Sequence, residues 1–340
     1  MRSQTIYFLL GFIFLNTLIF LEACSETKSL SPVYCGKADS ILCRDITRID
    51  DALRNSHDYQ KQSYGVFFTN TAINQSEVQM QLEKSSQLDQ NSAYMGVSAW
   101  ENFDFAAVKP PHYFFLVDIN TATIRFNTLT IETVKKVSTR FQFVEHFIQT
   151  ANEIPYTQNH WLPYVIRTMK NRGDFEINDH LPMWQKEIRM ELQRKGSWLS
   201  SKKSFDTIKN LIEFGNVYVF HYSLANEIQT RLLSQTLAQH GIKLNILCIS
   251  NVLEWIKNKK NTELFAHTMD NINFIVSPGT KLIAMSNVAR REEGMHFAYQ
   301  QKILIKKINA LSYSDILQPK LSSAKVYKAV HDSFLRKVSE

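Results

Sequence analysis

Residues 93–120 read AYMGVSAWENFDFAAVKPPHYFFLVDIN. The pattern predicts a strand, a tight turn at Gly96, a short helix from Glu101 and a second strand that ends at Asp118. In nucleotide-binding βαβ units, glycines after the first strand let the backbone approach the ligand, and an acid at the end of the second strand binds the ribose hydroxyls. Asp118 follows Gly96 by 22 residues, close to the spacing of about 20 that this geometry requires. Ser98 stands where a second glycine is usual, so the segment predicts a nucleotide-type site with most of its glycines missing.

The rest of the chain repeats this alternation of strands and helices. The predicted elements are a strand at 64–68 (YGVFF), a helix at 131–151, a helix at 203–214, a strand at 216–222 (NVYVFHY), a helix at 224–240 stopped by Gly241, a strand at 244–249 (LNILCI), a helix at 252–258 (VLEWIKN), and strands at 272–276 (INFIV), 281–286 (KLIAMS) and 296–307 (HFAYQQKILIKK). Alternation of this kind is typical of a mostly parallel sheet covered by helices on both faces. Adjacent strands late in the chain indicate an antiparallel edge. We therefore predict an α/β fold, a three-layer Rossmann-like sandwich.

The first residues differ in kind from the rest. Arg2 precedes the apolar run IYFLLGFIFLNTLIFL at 6–21, and the sequence LEAC ends at Cys24. A basic start and a short apolar run are typical of a secretory signal, which would occupy residues 1–23. LEAC also resembles the bacterial lipoprotein processing site, and the run approaches the length that spans a bilayer. Lipidation of Cys24, plain cleavage and a retained anchor all stay open. Each predicts export to the cell envelope or beyond, with membrane association through the amino terminus possible.

Cysteine usage agrees with export. Cys35 and Cys43 form a close pair in a polar segment, where a disulfide can persist outside the cytoplasm. Cys248 lies within an apolar run, which favours a buried, inert thiol. No Cys/His cluster has zinc-ligand spacing, so no metal site is predicted.

Composition and patterning divide the chain further. We interpret residues 24–60 as a polar lead-in, 61–310 as the folded domain, 152–200 as a helical insertion that either covers the sheet or acts as a substrate lid, and 311–340 as a tail. The net charge is +7, but the basic residues are scattered. A scattered distribution favours a solvated surface, so no nucleic-acid partner is predicted.

Further candidates lie at the ends of later strands. Ser250 and Asn251 follow a buried strand, at the edge of an open sheet where ligands bind. These two residues could instead cap the next helix. His221 lacks a visible Ser, Asp or Cys partner at motif level, as do His160 and His296. We interpret the three as hydrogen-bonded structural histidines.

Four separated segments carry a family resemblance. They are AYMGVSAWENFDFAAVKPPHYFFLVDIN, GSWLSSKKSFDTIKNLIEFGNVYVFHYSLANE, LNILCISNVLEWI and HFAYQQ. Together they resemble an uncharacterised bacterial family with the class I S-adenosylmethionine-dependent methyltransferase-like fold, over roughly residues 64–306.

The resemblance implies a site and a cofactor. It places S-adenosylmethionine against Gly96 and Asn102 at the first turn, Asp118 at the second strand and the Ser250-Asn251 pair after a later strand. The remaining predicted site residues are Ser98 and Ser223.

The chain also departs from the pattern of this class. Tyr94 stands where an acid is usual, and Tyr222-Ser223-Leu224 replaces a Gly-Asp-Leu sequence. The implied function is an exported methyltransferase-like protein that binds S-adenosylmethionine weakly, with an unknown substrate and an activity that could be lost. The alternative is a non-enzymatic envelope or secreted binding protein that retains the fold.

Overall fold

The structure is a computed structural model that describes residues 33–37, 40–54, 75–86, 88–153, 183–253, 256, 262–291 and 297–307. Residues 1–32, the predicted strand at 64–68 and the tail at 311–340 lie outside this part of the chain. Most of the predicted insertion, at 154–182, also lies outside it.

A seven-stranded sheet forms the centre of the fold. Its strands are β1 (Tyr34–Cys35), β2 (Ser92–Val97), β3 (Tyr113–Asp118), β4 (Val217–His221), β5 (Lys243–Ser250), β6 (Lys281–Arg291) and β7 (Phe297–Lys307). The order across the sheet is β1-β4-β3-β2-β5-β6-β7. The five central strands, β4, β3, β2, β5 and β6, run parallel to one another, whereas β1 and β7 lie antiparallel at the two edges. The predicted mixed α/β fold with a mostly parallel sheet and an antiparallel edge is confirmed, and it is compatible with a Rossmann-like fold.

Helices cover both faces of this sheet. They are α1 (Ile41–Arg54), α2 (Gln75–Glu83), α3 (Glu101–Val108), α4 (Thr121–Lys136), α5 (Arg140–Glu153), α6 (Met183–Met190), α7 (Lys202–Phe214), α8 (Glu227–Gln239) and α9 (Thr262–Ile275). One buried apolar cluster joins α3, α4, α5 and α7 to one face, and a second joins α1, α8 and α9 to the other. Alternate residues of β2 show the division, because Tyr94 belongs to the first cluster and Ala93 and Met95 to the second.

Two predicted elements differ from the structure. The expected strand INFIV at 272–276 is the end of α9, and its buried residues Met269, Ile272 and Ile275 follow helical spacing. A short apolar run cannot distinguish a buried strand from a buried helix, so this prediction was wrong. The expected single helix at 131–151 is divided into α4 and α5, because α4 ends at Lys136 and the next residue, Val137, is extended. The expected stop at Gly241 is confirmed by its left-handed φ of 62°.

The predicted lead-in at 24–60 contains part of the fold. β1 adds an edge strand beside β4, and α1 packs against α8 and β4. The apolar side of α1 buries Leu42, Ile46, Ile49 and Leu53. Their i, i+3, i+4 spacing is an amphipathic pattern that the polar composition of the segment obscured. The described fold therefore begins at least as early as residue 33.

The predicted disulfide between Cys35 and Cys43 is confirmed, with the two Cα atoms 5.8 Å apart. It ties β1 to the start of α1 across a sequence separation of 8 residues.

Closing a loop of this size stabilises a folded chain by about 2.5 kcal/mol through loss of unfolded-state entropy. We expect reduction to lower the free energy of unfolding by about this amount, measured by urea denaturation with and without reductant. The Cys35→Ser/Cys43→Ser variant is the control, since its transition should not respond to reductant. Equal wild-type midpoints in the two conditions would contradict the prediction.

Candidate functional site

The carboxyl ends of the parallel strands form the candidate site. From β2 the chain adds β3 and then β4 on one side, and it then crosses to add β5 and β6 on the other. The order therefore reverses between β2 and β5, and in open α/β sheets ligands bind in the crevice at such a switch point. Gly96 lies opposite Cys248 of β5, and Asp118 lies opposite His221 of β4. The carboxyl ends of β2, β3, β4 and β5 therefore lie at one edge of the sheet.

Gly96 in β2 and Asn102 in α3 lie on either side of the turn that joins these elements. The turn predicted at Gly96 begins two residues later, at Ser98, because Gly96 and Val97 are still paired in the sheet. A Cβ atom on Gly96 would lie 2.0 Å from Oδ1 of Asn102, so only glycine leaves room for the amide. The Asn102 Nδ2 atom donates to the carbonyls of Val97 at 3.0 Å and Ala99 at 3.2 Å, and Tyr94 Oη donates to Oδ1 at 2.9 Å. Asn102 is fully buried. Both residues were predicted to contact a cofactor. In the structure they pack against each other and stabilise the turn from its buried side.

Two serines at the switch point have a left-handed backbone. Ser98 has a φ of 90° and Ser250 a φ of 48°, and they are the non-glycine residues with positive φ within the described ranges. Such conformations cost of order 1–3 kcal/mol and occur preferentially at functional sites. Ser98 thus keeps the backbone shape that a glycine would supply at this turn. Its carbonyl accepts a hydrogen bond from Asn127 Nδ2 at 3.0 Å.

Asp118 lies at the end of β3, where the sequence predicted a ribose-binding acid. Its side chain is half-buried, and Oδ1 accepts a hydrogen bond from the backbone N–H of Asn120 at 2.9 Å. Burial raises the pKa of Asp118 to about 6, and the hydrogen bond from Asn120 opposes the rise. The carboxylate is therefore mostly ionised at neutral pH and can accept hydrogen bonds from hydroxyl groups.

Glu101 is a site residue that the sequence interpretation missed. It is the first residue of α3, directly after the turn, and only 7% of it is exposed. Its carboxyl group is hydrogen-bonded to the Ser250 side chain, while Oε1 has no hydrogen-bond partner among the described residues. Burial raises its pKa to about 8. The sequence feature that could have indicated this site residue is an acid at the first helical position after the turn. The same feature also occurs at ordinary helix starts.

A buried network borders the site beside Asp118. The ring of His221 contacts Asp50 Oδ1 through Nδ1 at 3.0 Å and Thr121 Oγ1 through Nε2 at 3.2 Å. The backbone N–H of His221 also donates to Asp50 Oδ1 at 2.7 Å, and Arg54 Nε lies 2.6 Å from Asp50 Oδ2. The prediction of a hydrogen-bonded structural histidine is confirmed for His221. His160 and His296 lie outside the described residues.

The remaining predicted residues lie at the same edge with local roles. Ser223 Oγ accepts a hydrogen bond from the Ala225 N–H at 3.3 Å, and the Ser223 N–H donates to Gln229 Oε1 at 2.8 Å, so Ser223 shapes the turn after β4. Asn251 is half-buried directly after Ser250. Within the described ranges, no three His, Cys, Asp or Glu side chains are grouped as a metal site requires.

A shallow surface depression lies elsewhere, between the start of α1 and the end of α8. It is lined by Asp45, Arg48, Leu232, Gln235, Thr236 and Gln239. Since α8 begins after the carboxyl end of β4, its last turns lie toward the opposite end of the sheet. The depression is thus separate from the residues at the switch point.

These features define an α/β protein with a candidate ligand site at the switch point of a mostly parallel sheet. Residues 73–300 match the model of the family described as Domain of unknown function (DUF7790), and the chain belongs to this family. No curated protein matches the chain. Among the helices that the structure describes, none is both long and apolar enough to cross a membrane.

Proposed function

We propose that the protein is an exported, methyltransferase-like protein that binds an adenosyl ligand at the carboxyl edge of the sheet. S-adenosylmethionine is the proposed ligand. The observation that carries the proposal is the position of Asp118, a half-buried acid at the end of the second parallel strand. An acid there accepts hydrogen bonds from ribose hydroxyls in sites of this type. The left-handed turn at Ser98 supports it further, because such a turn exposes backbone to a ligand.

The chain's own residues suit this ligand in part. Asp118 would hold the ribose. The turn at Ser98 would contact the part of the ligand that lies between the ends of β2 and β5, where the strand order reverses. When bound, S-adenosylmethionine supplies a methyl group on a positively charged sulfur. The contribution of the protein to methyl transfer is to hold the acceptor in line and exclude water. No general base is assigned, because the methyl acceptor is unknown.

Other features favour weak binding. Asn102 occupies the space beside Gly96, and Tyr94 and Ser223 stand where sites of this class usually carry acids. Each charged hydrogen-bond partner that is lost costs about 1.5–3 kcal/mol. We therefore expect a dissociation constant in the high micromolar range, equivalent to about −5 to −6 kcal/mol.

Export is the second part of the proposal. The disulfide between Cys35 and Cys43 supports an oxidising compartment, because cytosolic thiols are kept reduced. S-adenosylmethionine is made in the cytoplasm, so an exported methyltransferase must meet it there before export or in another cell. This conflict favours the second candidate, a non-enzymatic envelope or secreted binding protein that retains the fold.

Titration of the purified, oxidised chain with S-adenosylmethionine tests the ligand. We expect wild-type binding in the high micromolar range and at least about tenfold weaker binding by Asp118→Ala, because the ribose loses a charged acceptor. Affinity should also fall as the pH drops below about 6, since protonation of Asp118 removes that acceptor.

Asp206→Ala is the matched control, because Asp206 lies on α7 and pairs with Lys202 at the surface. Binding that is unaffected by Asp118→Ala would place the ligand elsewhere. No binding would favour the non-enzymatic candidate.

A further inference from the structure

The carboxyl group of Glu101 is buried without a direct positive partner. Within the described parts of the chain, no Lys, Arg or His nitrogen lies within ion-pair distance of it, and Oε1 accepts no hydrogen bond. Buried carboxyl groups in folded proteins are normally satisfied by hydrogen bonds or paired with a cation. An unsatisfied oxygen at a switch point is therefore a feature that a ligand can explain.

We infer that the crevice between β2 and β5 binds the positively charged sulfonium of its ligand through the carboxylate of Glu101. The inference rests on the proposed adenosyl ligand and adds to it the charge that the site recognises. Asp118 and Glu101 then have separate tasks, because one holds the ribose and the other holds the charge.

The placement of Glu101 follows from two elements. The start of α3 delivers the side chain from the β2 side of the crevice, and the Ser250 side chain holds it from the end of β5. The carboxyl group therefore spans the two strands between which the topology reverses. Ser250 has a left-handed backbone, at a conformational cost that a purely structural turn could avoid with glycine.

The surroundings leave a negative charge there uncompensated. Arg194 is the positive group that acts on Glu101, but its guanidinium contacts Asp104 Oδ2 at 2.6 Å and Glu191 Oε2 at 2.7 Å. The negative charges of Asp104 and Asp118 act in the opposite sense. A bound cation would therefore meet an excess of carboxylates at this edge.

Protonation links binding to pH. Burial raises the pKa of Glu101 to about 8, so the carboxyl group is mostly protonated at neutral pH when no cation is present. A cation favours the ionised form, and its binding should release a proton at pH 7. Affinity for a cation should thus rise with pH up to about 8. The titratable and charged groups that act on Glu101 are Asp104 on α3 itself and, from neighbouring elements, Tyr94, Asp118, Arg194 and Cys248.

Two ligands that share the adenosyl group test the inference. Both carry the same α-ammonium, but S-adenosylmethionine has a sulfonium where S-adenosylhomocysteine has a neutral thioether. By titration at pH 8, we expect the wild-type chain to bind the sulfonium at least about tenfold more tightly, and the preference to shrink at pH 6. Glu101→Gln keeps the shape of the side chain without the charge, so it should bind both ligands equally. Titration in buffers of different ionisation enthalpy should show proton release for S-adenosylmethionine alone.

Controls separate this inference from the proposed function. Glu132→Gln alters an exposed acid on α4 and should leave the preference unchanged. If Glu101→Gln does not fold, as judged by circular dichroism, Ser250→Gly serves in its place, because it removes the hydroxyl and relieves the left-handed strain. It should also reduce the preference. Equal wild-type affinity for both ligands, with both weakened by Asp118→Ala, would overturn the role of Glu101 and leave the proposed function standing. Failure of both ligands to bind would overturn both.

Discussion

Asp50→Ala should lower the free energy of unfolding by about 3–5 kcal/mol, the cost of breaking a buried ion pair by removing one partner. Asp50 is fully buried, and its Oδ1 atom accepts a hydrogen bond from the His221 backbone N–H at 2.7 Å. The substitution leaves that N–H and the Arg54 guanidinium without their shared acceptor. Urea denaturation followed by circular dichroism measures the change, which should appear as a lower midpoint with an unchanged slope.

Asp51→Ala is a matched control on the same helix. Asp51 also pairs with Arg54, at 2.8 Å, but half of its side chain is exposed. Exposed pairs contribute about 0–1 kcal/mol, so the control should unfold close to the wild type. Equal effects of the two substitutions would mean that α1 is held by apolar packing alone, and the role assigned to Asp50 would be wrong.

Trp100→Ala should be equally severe, with an expected loss of about 3–5 kcal/mol for deleting a large buried aromatic side chain. Trp100 is fully buried. Four aromatic rings lie with centroids 5.2–5.8 Å from its own, namely those of Phe126, Phe143, Phe147 and Trp198. Removing the indole therefore leaves a cavity where α3, α4 and α5 meet. Thermal and urea unfolding should both show the loss.

Two variants test whether the effect comes from packing. Phe141→Ala removes an aromatic ring from α5, but 57% of Phe141 is exposed, so its effect should stay within about 0.5 kcal/mol. Trp100→Phe keeps one ring and loses the hydrogen bond from Nε1 to Thr130 Oγ1 at 2.9 Å, and it should fall between the wild type and the alanine variant. A stable Trp100→Ala protein with weakened ligand binding would instead place the indole in the ligand site.

The sequence predicted those parts of the fold whose signals are local. The strand through Gly96, the helix at Glu101 and the acid at Asp118 follow one another within a single βαβ unit, and their order and spacing were sufficient. The same holds for the helix stop at Gly241, where one residue type determines a left-handed conformation. The polar strand ends at Ser223 and Ser250 were placed correctly because parallel strands share a carboxyl edge.

Other parts depended on contacts that local patterns do not encode. Asp50 meets His221 across 171 residues, so its burial could not be inferred from a polar segment that resembled a linker. The role of Asn102 depended on the space left by Gly96, which is a property of packing. Glu101 at a helix start is ambiguous in sequence, and only the position of Ser250 identifies it as a candidate site residue.

The early position of α1 in the chain has a consequence for folding order. Its partners in the sheet and in α8 are more than 160 residues downstream, so this helix cannot complete its packing until most of the polypeptide has been synthesised. Contacts of such long sequence separation slow folding, because a large loop must close first. The bond between Cys35 and Cys43 has the opposite character, since both thiols emerge together and can join early. The crosslink between β1 and α1 can thus be in place before β4 and α8, the elements against which they pack, have been synthesised.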